Sequence, residues 1–251
     1  DSMRAYARES VGCRMEYLRR CLDDPGAVPC GRCDGCAGAW YPVDVSEASL
    51  TVARAHLGRT GVEIPPRKMW PTGLPAVGVP LSGKIPAGEQ AEAGRAVGRL
   101  SDLGWGDRLR RAVASDSPVG DEVFAGVVEA LAAWSRGADA WPTRPTGVVY
   151  VASQGRPSLV SSLASRVSSV GRLPLLGSIE VVSAAPSGVN SAQRVRALHD
   201  ALALPRLPAF DGPVLLIDDY VDSGWTLALA ARALRLAGAP MVLPFALAVS
   251  G

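Results

Sequence analysis

Lysine is almost missing from this sequence: of its 26 basic side chains, all but Lys68 and Lys84 are arginine. Compact, strongly hydrated cations are therefore rare, and planar guanidinium forks, which suit bidentate phosphate contacts, are common. The same bias is equally the mark of a GC-rich genome. Histidine is scarce as well. The 2 histidines, His56 and His199, each stand alone in a helical pattern with no partner motif, so both read as structural.

An excess charge of either sign is also missing. The formal net charge is +2, with 6 basic and 6 acidic residues in 1–42, 12 and 12 in 43–145, and 8 and 6 in 146–251. A strong binder of phosphate backbones carries a clear basic excess, so any nucleic-acid contact here has to come from local patches. No apolar run approaches the ~18 residues that a membrane span requires. The opening "DSMRAYARES" lacks the basic-then-apolar order of a secretory signal. A soluble, cytoplasmic protein with no membrane partner is expected. The chain does not begin with Met, which suggests a piece cut from a longer protein. It has no internal repeat, no low-complexity tract and no Walker A motif.

What is present suits a globular protein: 251 residues, 48 % apolar and 20 % charged. Three segments are expected. Residues 1–42 hold a helix and a Cys/Gly-rich knuckle. Residues 43–140 open on a helix that Ser46 can cap, with Leu50, Ala53 and Leu57 on one face. A Pro/Gly-broken stretch (61–88) then suits short strands, and two or three helices end with Val123, Val127, Leu131 and Trp134 at helical spacing. "ADAWPTRPT" (138–146) reads as a linker. Beyond it, within 146–251, strands at 147–152, 178–184, 214–218 and 241–249 alternate with helices at 158–170, 191–204 and 226–238. That alternation predicts a doubly wound parallel sheet, with Pro244 awkward inside its last strand.

Cys30, Cys33 and Cys36 form consecutive C-x-x-C steps, and Cys13 lies sixteen intervening residues upstream. Zinc wants four soft ligands in a tetrahedron, and a C-x-x-C turn brings two thiolates to one point. A redox pair has no use for a third cysteine, and a disulfide framework does not suit an intracellular chain. Cys21, eight residues from Cys13, is left as a packed thiol. The spacing C-x16-C-x2-C-x2-C, with "AYA" before it and "PCGRCDGC" around its end, resembles the zinc-binding subdomain of RecQ-family DNA helicases over residues 3–38. The resemblance implies that Cys13, Cys30, Cys33 and Cys36 hold structural Zn2+. It further implies a bacterial, nucleoid-associated 3′–5′ helicase of DNA repair, whose motor, using ATP and Mg2+, precedes this chain in cis. A winged-helix domain follows the zinc site in that family, and 43–140 has its place and size. Arg67, Lys68, Trp70 and Lys84 are then the candidate contacts to duplex or junction DNA. The alternative is a solvated loop around a buried Trp.

Residues 213–227, "PVLLIDDYVDSGWTL", run from an apolar strand through two acids into a Gly turn and a helix. Such a turn aims backbone N–H groups and a helix N-terminus at an anion. Gly224 lets the backbone approach, Ser223 and Thr226 offer hydroxyls, and Asp218 and Asp219 suit sugar hydroxyls or Mg2+. Any strand–turn–helix unit of an α/β sheet reads in a comparable way. The stretch resembles the phosphoribosyl-diphosphate loop of type I phosphoribosyltransferases, and "SQGRP" (153–157) and "NSAQRVRALHDAL" resemble other parts of that fold in its ComF-like branch. The resemblance implies ribose hydroxyls at Asp218 and Asp219, and the 5′-phosphate at Ser223, Gly224 and Thr226. It also implies Asp222 as general base, with Arg156 as the one candidate grip on diphosphate. Trp225 is bulkier than the family's usual residue, and no base-covering hood follows residue 249. An active transferase, a domain retained for binding, and a non-catalytic interaction module all stay open.

Overall fold

The structure, a computed structural model, describes residues 2–8, 12–39, 44–181 and 188–250. It divides into two compact units, Asp1–Ala55 and His56–Gly251.

The first unit contains α1 (Ser2–Arg8), α2 (Arg14–Cys21) and α3 (Asp34–Ala37), and most of α4 (Glu47–Leu57). It has little apolar core: Cys13 is its one buried hydrophobic residue among those described. Polar ties replace the core. Arg14 binds Asp34 at 2.9 Å and lies 5.3 Å from the centre of the Tyr6 ring. The Ser46 hydroxyl accepts from Ser49 N at 3.2 Å, satisfying one of the orphan donors of α4. The expected apolar face of α4 is not packed, since none of its residues is buried.

The second unit is built on a seven-stranded sheet. Its strands are β1 (Val62–Ile64), β2 (Gly94–Arg99), β3 (Gly147–Ala152), β4 (Leu175–Val181), β5 (Leu202–Ala203), β6 (Val214–Val221) and β7 (Val242–Val249), in the order β1-β2-β7-β6-β3-β4-β5. The four inner pairings are parallel, and only β1 and β5, at the edges, run antiparallel to their neighbours. Parallel strands covered on both faces lose the in–out alternation of a half-exposed sheet. Seven consecutive residues of β7, 242–248, are accordingly buried.

Helices cover both faces. On one, α6 (Asp121–Trp134) and α7 (Pro157–Gly171) pack Phe124, Val127, Leu159 and Leu163 against Leu215, Ile217, Leu243 and Phe245. On the other, α9 (Trp225–Leu236) sets Ala230, Ala231 and Leu234 on Val214, Leu216 and Val242. A third cluster joins α8 (Ser191–Ala201) and α9 to Trp70, Leu74, Val79 and Ile85 of the Pro/Gly-rich stretch. The remaining helix is α5 (Gly106–Val113). Pro244 is accommodated in a central strand because β2 begins beside it, its first register pair being Arg95↔Phe245.

The expected three-segment division does not hold in this structure. Residues 62–64 and 94–99 are strands of the same sheet as β6 and β7, and the helix at 121–134 packs on it. The separate winged-helix domain over 43–140 is thus corrected to one continuous α/β unit from residue 56 onward, with 138–146 a connecting loop. β2 was hidden because its sequence, GRAVGR, carries two arginines and two glycines. It is nonetheless buried from 94 to 98, as Ala96 and Val97 face the two cores and Arg95 lies over the Trp134 ring at 5.8 Å.

Candidate functional site

The ligand atoms of Cys13, Cys30, Cys33 and Cys36 all lie within 4.8 Å of one another. Cys13 Sγ and Cys33 Sγ are 3.9 Å apart, close to the ~3.8 Å edge of a tetrahedron with metal–sulfur bonds of about 2.3 Å. Cys13 caps α2, and its sulfur accepts from the amides of Glu16 at 3.3 Å and Cys30 at 3.2 Å. The Cys30 amide, then that of Glu16, lowers the Cys13 thiol from its ordinary value. Burial pushes Cys33 up, but backbone and thiol hydrogen bonds, that of Arg14 first, bring it down to about 6. Cys36 is instead pushed up to about 11, first by its hydrogen bond with Cys13, so filling the site with a metal has to displace a proton. Gly35 lets the knuckle close: a Cβ there would lie 1.8 Å from the Gly12 carbonyl oxygen. The four sulfurs fit a metal ion of zinc type. Cys21 lies outside the group, as expected, but is exposed and not packed.

The second site lies at the C-terminal end of β6. Its last residues lead through Asp222 and Ser223 to Gly224, which caps α9 with φ +73°, a conformation glycine adopts without penalty. Among the described residues, no protein group accepts from the backbone amides of 222–226. The first turn of a helix leaves such donors open, and the α9 dipole adds positive potential there. The Ser223 and Thr226 hydroxyls are likewise without a protein partner.

Two acids stand behind this cradle. Asp218 and Asp219 are 5 % and 4 % exposed, side by side at the end of β6. Asp219 points toward α7, where Arg156 Nε donates to it at 2.7 Å; Arg156 Nη1 also donates to the Val113 carbonyl at 3.0 Å. Asp218 accepts from the adjacent Asp219 amide at 2.9 Å and its carboxyl also bonds the Asp219 side chain. Burial, then the charge of Asp219, raises its carboxyl well above the usual range. Asp222 is more open and pairs with Arg194 of α8 at 2.9 Å.

The Pro/Gly-rich stretch returns to this loop. Arg67 donates to the Ser223 carbonyl through Nε at 2.9 Å and through Nη2, and its guanidinium lies 5.0 Å from the centre of the Trp225 ring. Trp225 is 3 % exposed and stacks on Trp70 with ring centres 6.1 Å apart. Its bulk therefore goes into the third apolar cluster. A hollow bounded by Ile64, Arg67, Gln90, Gly224 and Leu227 opens beside the loop.

The expected DNA surface is redistributed. Trp70 is buried at 6 % exposure, so it is corrected from an exposed aromatic to the core residue of the alternative reading. Arg67 is turned to the phosphate loop. Lys68 and Lys84 remain exposed, Lys84 within the antiparallel Met69↔Lys84 bridge and Lys68 next to Met69. Sequence reasoning missed Arg194 and the coupling of Arg67 to Ser223. Both are long-range contacts with no local signal, 28 and 156 residues apart in the chain.

Comparison of the chain with protein-family models, with curated proteins and with solved structures returned no match. The fold and its two sites define a class: a mixed α/β protein with a mostly parallel sheet and a four-cysteine metal-type cluster. None of its described helices is long and apolar enough to cross a membrane.

Proposed function

We propose that residues 56–251 bind a 5-phosphoribosyl compound of the kind handled by type I phosphoribosyltransferases. The observation that carries the reading is the set of five amides at 222–226 without a protein acceptor among the described residues, at a helix N-terminus, directly after a buried acidic pair. The cradle takes the 5′-phosphate, with the Ser223 and Thr226 hydroxyls as further donors. Asp218 and Asp219 take ribose hydroxyls. Mg2+, when bound with a diphosphate, would supply further positive charge there, since Arg156 is engaged by Asp219. Binding and catalysis are separable. A proton acceptor at Asp222 has to leave Arg194 before it can serve a nucleobase, so Asp222→Asn abolishes any transfer while leaving phosphate binding nearly intact.

The test is calorimetry on the intact chain with ribose 5-phosphate and with ribose. Saturable binding that requires the phosphate and is abolished by Ser223→Glu is expected. Absence of binding to both would sink the proposal.

A second reading concerns the first unit. The C-x16-C-x2-C-x2-C spacing and the clustering of those four sulfurs support a structural zinc site of RecQ-like type. On that reading the chain is the C-terminal portion of a DNA helicase, and Lys68 and Lys84 are left as DNA contacts. Helicase motifs in the residues upstream of Asp1 are its direct test, and their absence would remove it.

A further inference from the structure

Peptide geometry gives Arg67 a role at the loop beyond its charge. In a trans peptide the carbonyl oxygen of one residue and the N–H of the next point in opposite directions. Arg67 holds the Ser223 carbonyl with two of its nitrogens, so the Gly224 N–H is turned away from Arg67. The linkage needs such a hold. Gly224 has no Cβ to restrict it, and flipping the 223–224 peptide would replace a donor facing the anion with a carbonyl oxygen that repels it.

Three contacts keep Arg67 in place. It lies over the Trp225 ring, that ring is stacked on Trp70, and Trp70 is anchored in the chain by its amide, which donates to the Gly83 carbonyl at 2.9 Å. Trp225 thus forms a platform for the guanidinium. The same strand end carries the buried carboxyl of Asp218, which accepts from the Asp219 amide at 2.9 Å.

We propose that Arg67 is a positioning residue for the anion site: by holding the Ser223 carbonyl outward, it presets the Gly224 amide to receive a phosphate. The proposal rests on the phosphoribosyl reading for its ligand, but the peptide orientation itself is measurable without one. Arg67 is exposed, so truncating it leaves the apolar cores intact.

The experiment compares the intact wild-type protein with Arg67→Ala and Arg67→Lys. Inorganic phosphate is titrated by calorimetry, and the Gly224 amide is followed in 15N–1H spectra before and during the titration. Arg67→Ala is expected to shift the Gly224 amide in the ligand-free protein and to weaken phosphate binding by about tenfold or more, the scale of one charge-assisted hydrogen bond. Arg67→Lys keeps the charge but lacks the flat fork, so it is expected to recover little of either. Full recovery by lysine would reduce the role to charge and overturn the proposal, as would an unshifted Gly224 amide in Arg67→Ala. If wild type binds no phosphate while the ligand-free amide shift appears as expected, the phosphoribosyl reading fails and the positioning of the peptide stands.

Discussion

Replacing Arg156 with Met tests how the buried acids at the end of β6 are held. The Arg156 and Asp219 side chains are 28 % and 5 % exposed and meet at 2.7 Å. Removing one partner of a buried ion pair costs about 3–5 kcal/mol, because the other charge is left uncompensated. The partial exposure of Arg156 puts this pair near the lower limit. The Val113 carbonyl loses a donor as well, worth roughly 1 kcal/mol. A loss of about 3–4 kcal/mol at pH 7 is expected, a large part of the 5–15 kcal/mol that typically stabilises a domain.

The sign of the pH dependence follows from Asp218. Its carboxyl is already raised, and the charge of Arg156 is one of the influences holding it down. Without that charge it rises further, so the folded variant keeps a proton that the unfolded chain has lost above about pH 4. Wild type and variant therefore both gain stability as pH falls from 7 toward 5, the variant at least as much, so its deficit against wild type does not widen. Urea unfolding at both pH values measures this. A loss under about 1 kcal/mol at pH 7, or a deficit that widens toward pH 5, would refute the reasoning.

Three further outcomes are expected. Cys33→Ala should lose the metal and unfold the first unit, since structural zinc contributes on the order of 10–16 kcal/mol. Cys21→Ala should retain about one equivalent, and equal metal loss by both in elemental analysis would reject the four-cysteine assignment. Asp218→Asn should be more stable than wild type at pH 7. Wild type, whose raised carboxyl favours the protonated folded state, loses stability as pH rises from about 4 through the raised value, and parallel melting profiles for the two proteins would contradict this. Lys68→Ala with Lys84→Ala should weaken duplex DNA binding at low salt and reduce the salt slope by up to about 2; unchanged binding across several salt concentrations would remove these residues as contacts.

The parallel sheet was legible wherever apolar runs met turn residues. "GVVYVA" and "VLLID" became strands, and of the apolar stripe Leu159, Leu163, Val167 and Val170 in the helix at 158–170 the first three are buried in α7, while Val170, at its end, is exposed. The four cysteines were legible from their spacing, because metal geometry restricts it. Other features were not local. β2 reads as a polar, glycine-broken segment and becomes a strand only because β7 pairs with it and α6 covers it. Trp70 in "PPRKMWPTG" looks as exposed as its neighbours until α8 and α9 close over it. Arg67 and Arg194 are two arginines among 24 with nothing in their neighbourhoods to mark them. Their partners, Ser223 and Asp222, become neighbours only once the sheet and its cover have formed.

A crystal structure of the intact chain with ribose 5-phosphate tests the central claim most directly. The account predicts the phosphate within hydrogen-bond reach, about 3 Å, of several amides among 222–226, with the ribose hydroxyls turned toward Asp218 and Asp219. A phosphate bound elsewhere, or a sugar pointing away from both acids, would contradict it.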